Sequence, residues 1–129
     1  MTRVLSILLT LVITTWLPAT HAAATSPAQM LRDAESYAIA SCFANQSHAY
    51  LKDQGDAWAS VIVQRSQIRP DALADIALQV KAELRKGNMA MMRDETRPQQ
   101  DKSLPLLYCG EIIDLPAIRK AIQRASRMH

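Results

Sequence analysis

The sequence predicts an all-α fold: a compact bundle of about five helices held by one disulfide. Three observations carry this expectation. Glycine is scarce, with Gly 3 in 129 residues, and alanine is abundant, which favours helix over sheet. Apolar residues recur at helical spacing in one segment after another, each bounded by a capping residue, a proline or a glycine. The two cysteines, Cys42 and Cys109, fall in two of these segments.

The chain opens on a segment read as an address rather than as structure. Arg3 supplies a positive start, Val4 to Leu17 is an apolar run, and Pro18 breaks it. Ala22, Ala23 and Ala24 then offer the small side chains a signal peptidase accepts, so residues 1–24 are expected to be a signal peptide cut after Ala22 or Ala24. The apolar run is about 14 residues, too short to cross a ~30 Å hydrocarbon core. The alternative is an uncleaved anchor helix. The remaining 25–129 is the length of one domain. In an exported protein an even pair of cysteines reads as a disulfide. Cys42 and Cys109 would close a loop of roughly 67 positions, worth about 4 kcal/mol in the chain-entropy account. Two buried free thiols are the alternative.

The first helix starts at Ser26, with Pro27 at its first turn and Gln29 completing a capping box. One stripe holds Leu31, Ala34, Ala38, Cys42, Asn45 and Ala49, and Ile39, Phe43 and Tyr50 occupy a second face. A helix apolar on several sides belongs at the centre, covered by neighbours or by a second subunit. Gly55 is its expected stop and Asp56 the next cap, opening a short helix with Trp58, Val61 and Ile62 that ends near Ile68. Pro70 and Asp71 start a third helix whose apolar arc is Leu73, Ile76, Ala77, Val80 and Leu84. Asp71 and Asp75 at its start and Arg85 and Lys86 at its end suit the helix dipole, and Gly87 and Asn88 end it. Ser103 caps a fourth helix through Leu104, Leu107, Cys109, Ile112 and Ile113. Leu115 and Pro116 open a fifth, with Leu115, Ile118, Ile122 and Ala125 inward. No strand is expected; the run Val61, Ile62, Val63 is too short and isolated to found a sheet.

Between Gly87 and Lys102 neither period holds. Loops of this length in a compact domain are usually functional or disordered. The segment carries Met89, Met91, Met92, Arg93, Asp94 and Glu95, and these six are the candidate partner-binding residues. Thioethers in a polar loop are either satellite core or an adaptable protein-binding surface, and the acids beside them would steer a basic partner.

Little else in the chain points to chemistry. Of the three histidines, His21 lies at the edge of the signal segment, His129 ends the chain and His48 stands alone as a surface residue. No Cys–His dyad survives if the cysteines pair. No His, Asp or Glu set has ligand spacing, so neither metal nor cofactor is expected. Asp71 with Asp75, and Asp94 with Glu95, are the available carboxylate pairs. The first is where a helix start wants negative charge, and the second lacks an apolar pocket to raise one acid. Lys120, Arg124 and Arg127 make either a solvated helix face or an anion-binding one. The formal charge of +3, less Arg3, is mixed with acids and does not suit nucleic acid or anionic lipid.

Two stretches then narrow the reading. Tyr37-Ala38-Ile39-Ala40-Ser41-Cys42, followed by Tyr50 and Gly55, is one. Cys109-Gly110-Glu111-Ile112-Ile113-Asp114, running into Leu115, Ile118 and Ile122, is the other. With the signal segment they resemble the amidase immunity proteins of the type VI secretion system, the small helical group paired with the fourth amidase effector class. Residues 68–103 depart from that pattern. The resemblance implies a periplasmic helical homodimer, not an enzyme. It would bind a Cys–His peptidoglycan amidase and lay helix and loop elements across the cleft that holds the catalytic pair. Two other classes remain open. One is a small acid-stress helical chaperone, which would show clustered interface carboxylates where here they look dispersed. The other is an enzyme using Asp94 or Glu95.

Overall fold

A computed structural model describes residues 25–127. The expected signal peptide, with His21, and the terminal His129 lie outside the described residues. The helical expectation holds. The order is α1 (Pro27–Ala44), α2 (Ala49–Arg65), α3 (Pro70–Leu84), β1 (Met91–Arg93), β2 (Asp101–Ser103), α4 (Pro105–Glu111), a 3₁₀ turn at Ile112–Asp114, and α5 (Pro116–Ala125).

Helix α1 is the centre of the molecule. Ser26 caps it by accepting from the Gln29 N–H at 3.1 Å, with Pro27 in the first turn. The other half of the capping box does not form. The Gln29 amide instead donates to Asp33 at 2.9 Å, and its oxygen accepts from Arg32 at 2.8 Å. Met30, Ala34, Ala38, Ala40 and Cys42 are buried, and α2, α3, α4 and α5 all pack against this helix. Leu31 is exposed, while the other large apolar residues of the helix are buried or half-buried within one chain.

The expected boundary between the first two helices moves by ten residues. Helix α1 ends at Ala44, residues 45–48 form the corner, and Gly55 lies inside α2 rather than at a stop. Asn45 closes α1, its N–H reaching the Cys42 and Phe43 carbonyls and its side-chain amide donating to the Ser41 carbonyl at 2.7 Å. Gly55 is buried because α2 crosses α1 there. A Cβ on Gly55 would sit 2.2 Å from the Ala44 backbone nitrogen and 2.7 Å from the Ala40 carbonyl oxygen. Farther along, Asp33, 1% exposed, accepts from Arg65 at 2.7 Å and clasps the far end of α2 to the start of α1.

Helix α2 is held by that one face. Gly55 and Ile62 are its only buried residues, and Tyr50, Trp58, Val61 and Val63 stand exposed. Helix α3 buries Leu73, Ile76 and Val80 as its spacing predicts, with Ala77 and Leu84 half-buried. A short turn ends it at Gly87, whose φ of 71° is the left-handed conformation glycine tolerates. Helix α5 buries Ile118, Ala121, Ile122 and Ala125, Leu115 is half-buried against the same core, and Arg124 donates to Asp75 of α3 at 2.6 Å.

Two further expectations need correction. Ser103 does not cap α4: it is the last residue of β2, and Leu104 takes the cap position without a side-chain hydrogen bond. Residues expected to be free of strand form a small antiparallel hairpin, with Met91 opposite Ser103, Met92 opposite Lys102 and Arg93 opposite Asp101. Every residue of both strands is exposed, so the alternation that announces a half-buried strand is absent.

Candidate functional site

The disulfide anchors the surface that follows. Cys42 of α1 and Cys109 of α4 are bonded and fully buried. Gln46, in the α1–α2 corner, lies against them: its amide donates to the Cys42 carbonyl at 3.1 Å and lies 3.5 Å from the Cys109 sulfur. The bridge thus holds α4 beside the corner that begins α2.

Between the two lies an open cavity of about 730 Å³. The corner and α2 give it Gln46, His48 and Leu51, and the hairpin base and α4 give it Lys102, Leu104 and Leu107. Leu106 is 65% and Leu107 47% exposed, so the cavity opens as a groove onto solvent. Met89 also lines it, half-buried beside the hairpin base.

The hairpin rises next to this groove. It closes at its base where the Leu104 N–H donates to the Ala90 carbonyl at 2.9 Å. Asp94 organises its tip, accepting from the Thr96 hydroxyl at 2.6 Å, the Thr96 N–H at 2.9 Å and the Arg97 guanidinium at 3.1 Å. These donors, the Thr96 hydroxyl foremost, hold the Asp94 carboxyl below its ordinary value. Met91 and Met92 are 56% and 44% exposed. Of the two readings of the methionines, satellite core fits neither of these, and only Met89 is partly sheltered.

The six residues singled out in the sequence do not share one face. Residues directly opposite in an antiparallel pair project on the same side, so Met92 shares a face with Lys102, while Met91 and Arg93 share the other with Ser103 and Asp101. Asp94 is engaged within the turn, and Glu95 is exposed beside it. Asp71 pairs with Arg69 at 2.9 Å and Asp75 with Arg124. The basic triplet on α5 is likewise broken up, because Arg124 is committed to Asp75 while Lys120 and Arg127 remain exposed. Among the described residues no group of three or more His, Cys, Asp or Glu is placed to hold a metal. No helix among them is long and apolar enough to cross a membrane.

Sequence reasoning missed Gln46, Leu51, Leu104, Leu107 and Lys102 as a set. The available signal was the run Asn45-Gln46-Ser47-His48, whose turn-forming Asn and Ser mark a corner. What the fold and site define is a small, disulfide-pinned helical protein carrying an exposed hairpin beside an apolar groove. No family model, no curated protein and no solved structure matches the chain.

Proposed function

We propose that the chain is a periplasmic immunity protein that binds a type VI secreted peptidoglycan amidase and occludes its active-site cleft. The observation that carries this reading is the hairpin. It pairs with itself, leans little on the helices, and presents Met91 and Met92 to solvent. A narrow projection tipped with a turn and flanked by thioethers is suited to enter a cleft and adapt to its walls. The resemblance carried by the two cysteine segments supplies the kind of cleft. In this reading the protein acts by shape and slow dissociation, with no bond made or broken.

The same reading includes a homodimer. Most of α1 is covered within the chain, so the surface for a second subunit is the outer side of α2, where Trp58, Val61 and Val63 stand exposed. The carboxylates favour this over an acid-opened chaperone. Asp33, Asp56, Asp71, Asp75, Glu83, Asp94 and Asp114 each pair with a different cation instead of clustering on one face.

The test uses the hairpin's own geometry. Ala90 and Leu104 are already hydrogen-bonded, so residues 91–103 can be replaced by two glycines as a tight turn. The variant should keep its helical circular dichroism and lose inhibition of a Cys–His amidase encoded beside the gene. Inhibition equal to that of the intact chain would remove the hairpin from the mechanism. A neighbouring gene product with no amidase activity, or one that does not co-purify, would remove the immunity reading.

A further inference from the structure

We propose that the groove between the α1–α2 corner and the base of the hairpin is a second docking site, taking an apolar protein segment that carries a carboxylate. The inference rests on the immunity reading for the identity of the protein that supplies the segment, and on the groove alone for its chemistry.

The walls are apolar: Leu51 on one side, Leu104 and Leu107 on the other. The charged residue lining the groove is Lys102, His48 lines it too, and no Asp or Glu does. Among the described residues Lys102 makes no ion pair, as is also true of Arg32, Lys81, Arg85, Arg93, Lys120 and Arg127, but of these it is the one that lines the groove. The surface therefore complements leucine-like side chains flanked by a negative charge, and is mismatched to a basic segment. Its volume of about 730 Å³ is that of a built binding cavity, and its open mouth suits a chain passing through more than an enclosed small molecule. Two features keep it preformed. The disulfide fixes α4 to α1, and Gln46 ties the corner to that bridge. An occupant would thus lie beside the hairpin's Met92 and Lys102 face, so cleft insertion and groove docking could be made at once by one partner.

The experiment has two arms and uses the full mature chain. In the first, fluorescence anisotropy follows a labelled decapeptide of leucine pairs spaced by glutamates, against its counterpart with every glutamate changed to lysine. The acidic peptide should bind at least tenfold more tightly. Lys102→Glu should invert that preference, and Leu107→Asp, at an exposed position, should abolish binding of both. Equal binding of the two peptides, or binding of neither, overturns the proposal. So does a preference unmoved by Lys102→Glu, or saturable binding that needs the chain's own dimerisation. In the second arm the two variants are assayed against the amidase. Loss of at least tenfold in inhibition supports the groove; wild-type inhibition overturns its use by that partner while leaving the hairpin mechanism standing. An amidase that even the wild-type chain leaves active removes the immunity reading, and the peptide arm then decides the groove by itself.

Discussion

Replacing Gly55 with alanine separates two accounts of α2 by the sign of the effect. A glycine on an exposed helix face would gain about 1 kcal/mol on becoming alanine, from backbone entropy alone. Here the added methyl would lie 2.2 Å from the Ala44 nitrogen, 2.7 Å from the Ala40 oxygen and 2.7 Å from the Phe43 carbonyl carbon, where ordinary contact begins at 3.4 Å. All three atoms are backbone, so no rotamer change relieves the clash. Helix α2 must lift from α1 by more than an ångström at the crossing. Because α2 packs chiefly on α1, the lift loosens Ile62 and stretches the Arg65–Asp33 clasp. Overpacking costs about 1–3 kcal/mol, occasionally more. Taken at its upper end because backbone must move, and less the propensity gain, the net loss is about 2 kcal/mol. At about 4–8 °C per kcal/mol for a domain of this size, Tm should fall by roughly 8–16 °C. Thermal unfolding followed by far-ultraviolet circular dichroism measures it. An alanine variant as stable as the parent, or more stable, would refute the close crossing and with it the position of the corner that shapes the groove.

Three other outcomes follow from the same structure. Serine at both Cys42 and Cys109 should cost about 4 kcal/mol in denaturant unfolding and weaken whatever binds the groove, since α4 loses its tie to α1; unchanged stability would mean the bridge constrains nothing. Arg65→Ala leaves the buried Asp33 with Gln29 as its remaining partner and should cost about 1–3 kcal/mol, with α2 amides exchanging faster than those of α3; equal exchange in the two helices would deny the clasp. The Asp94 carboxyl is held below its ordinary 3.8, so its hold on the hairpin tip is complete above that value and is lost as the pH falls through its lowered one. The Thr96 amide resonance should therefore move only in acid, while the helices persist; movement near neutrality would contradict the assignment.

Much of the bundle was legible because local chemistry and tertiary need agree. Ser26 with Pro27, Gly87, Pro70 and Pro116 punctuate the chain where the helices begin and end, and the expectation of an exported chain, together with an even cysteine count, anticipated the Cys42–Cys109 bridge. The corner at 45–48 was not, because the spacing Ala38, Cys42, Asn45, Ala49 runs through it as though the helix continued. Asn45 closes α1 there locally, and a long-range contact makes the turn necessary. Gly55 permits α2 to cross against the α1 backbone, and that crossing is available only if the chain turns before it. A glycine read by itself looks like a helix stop; the same residue read against the alanine-rich α1 is a crossing point. The hairpin was hidden for the opposite reason, since strands of three residues exposed on both faces carry no pattern to read. The groove inherits both failures. Its walls come from the misplaced corner and the unforeseen hairpin base, so residues separated by more than fifty positions become one surface only once the turn and the disulfide are both in place. The spacing left the methionines between satellite core and adaptable surface; Met91 and Met92 are exposed and Met89 is half-buried, and the division of Met91 and Met92 onto opposite faces is fixed by a register that no local spacing encodes.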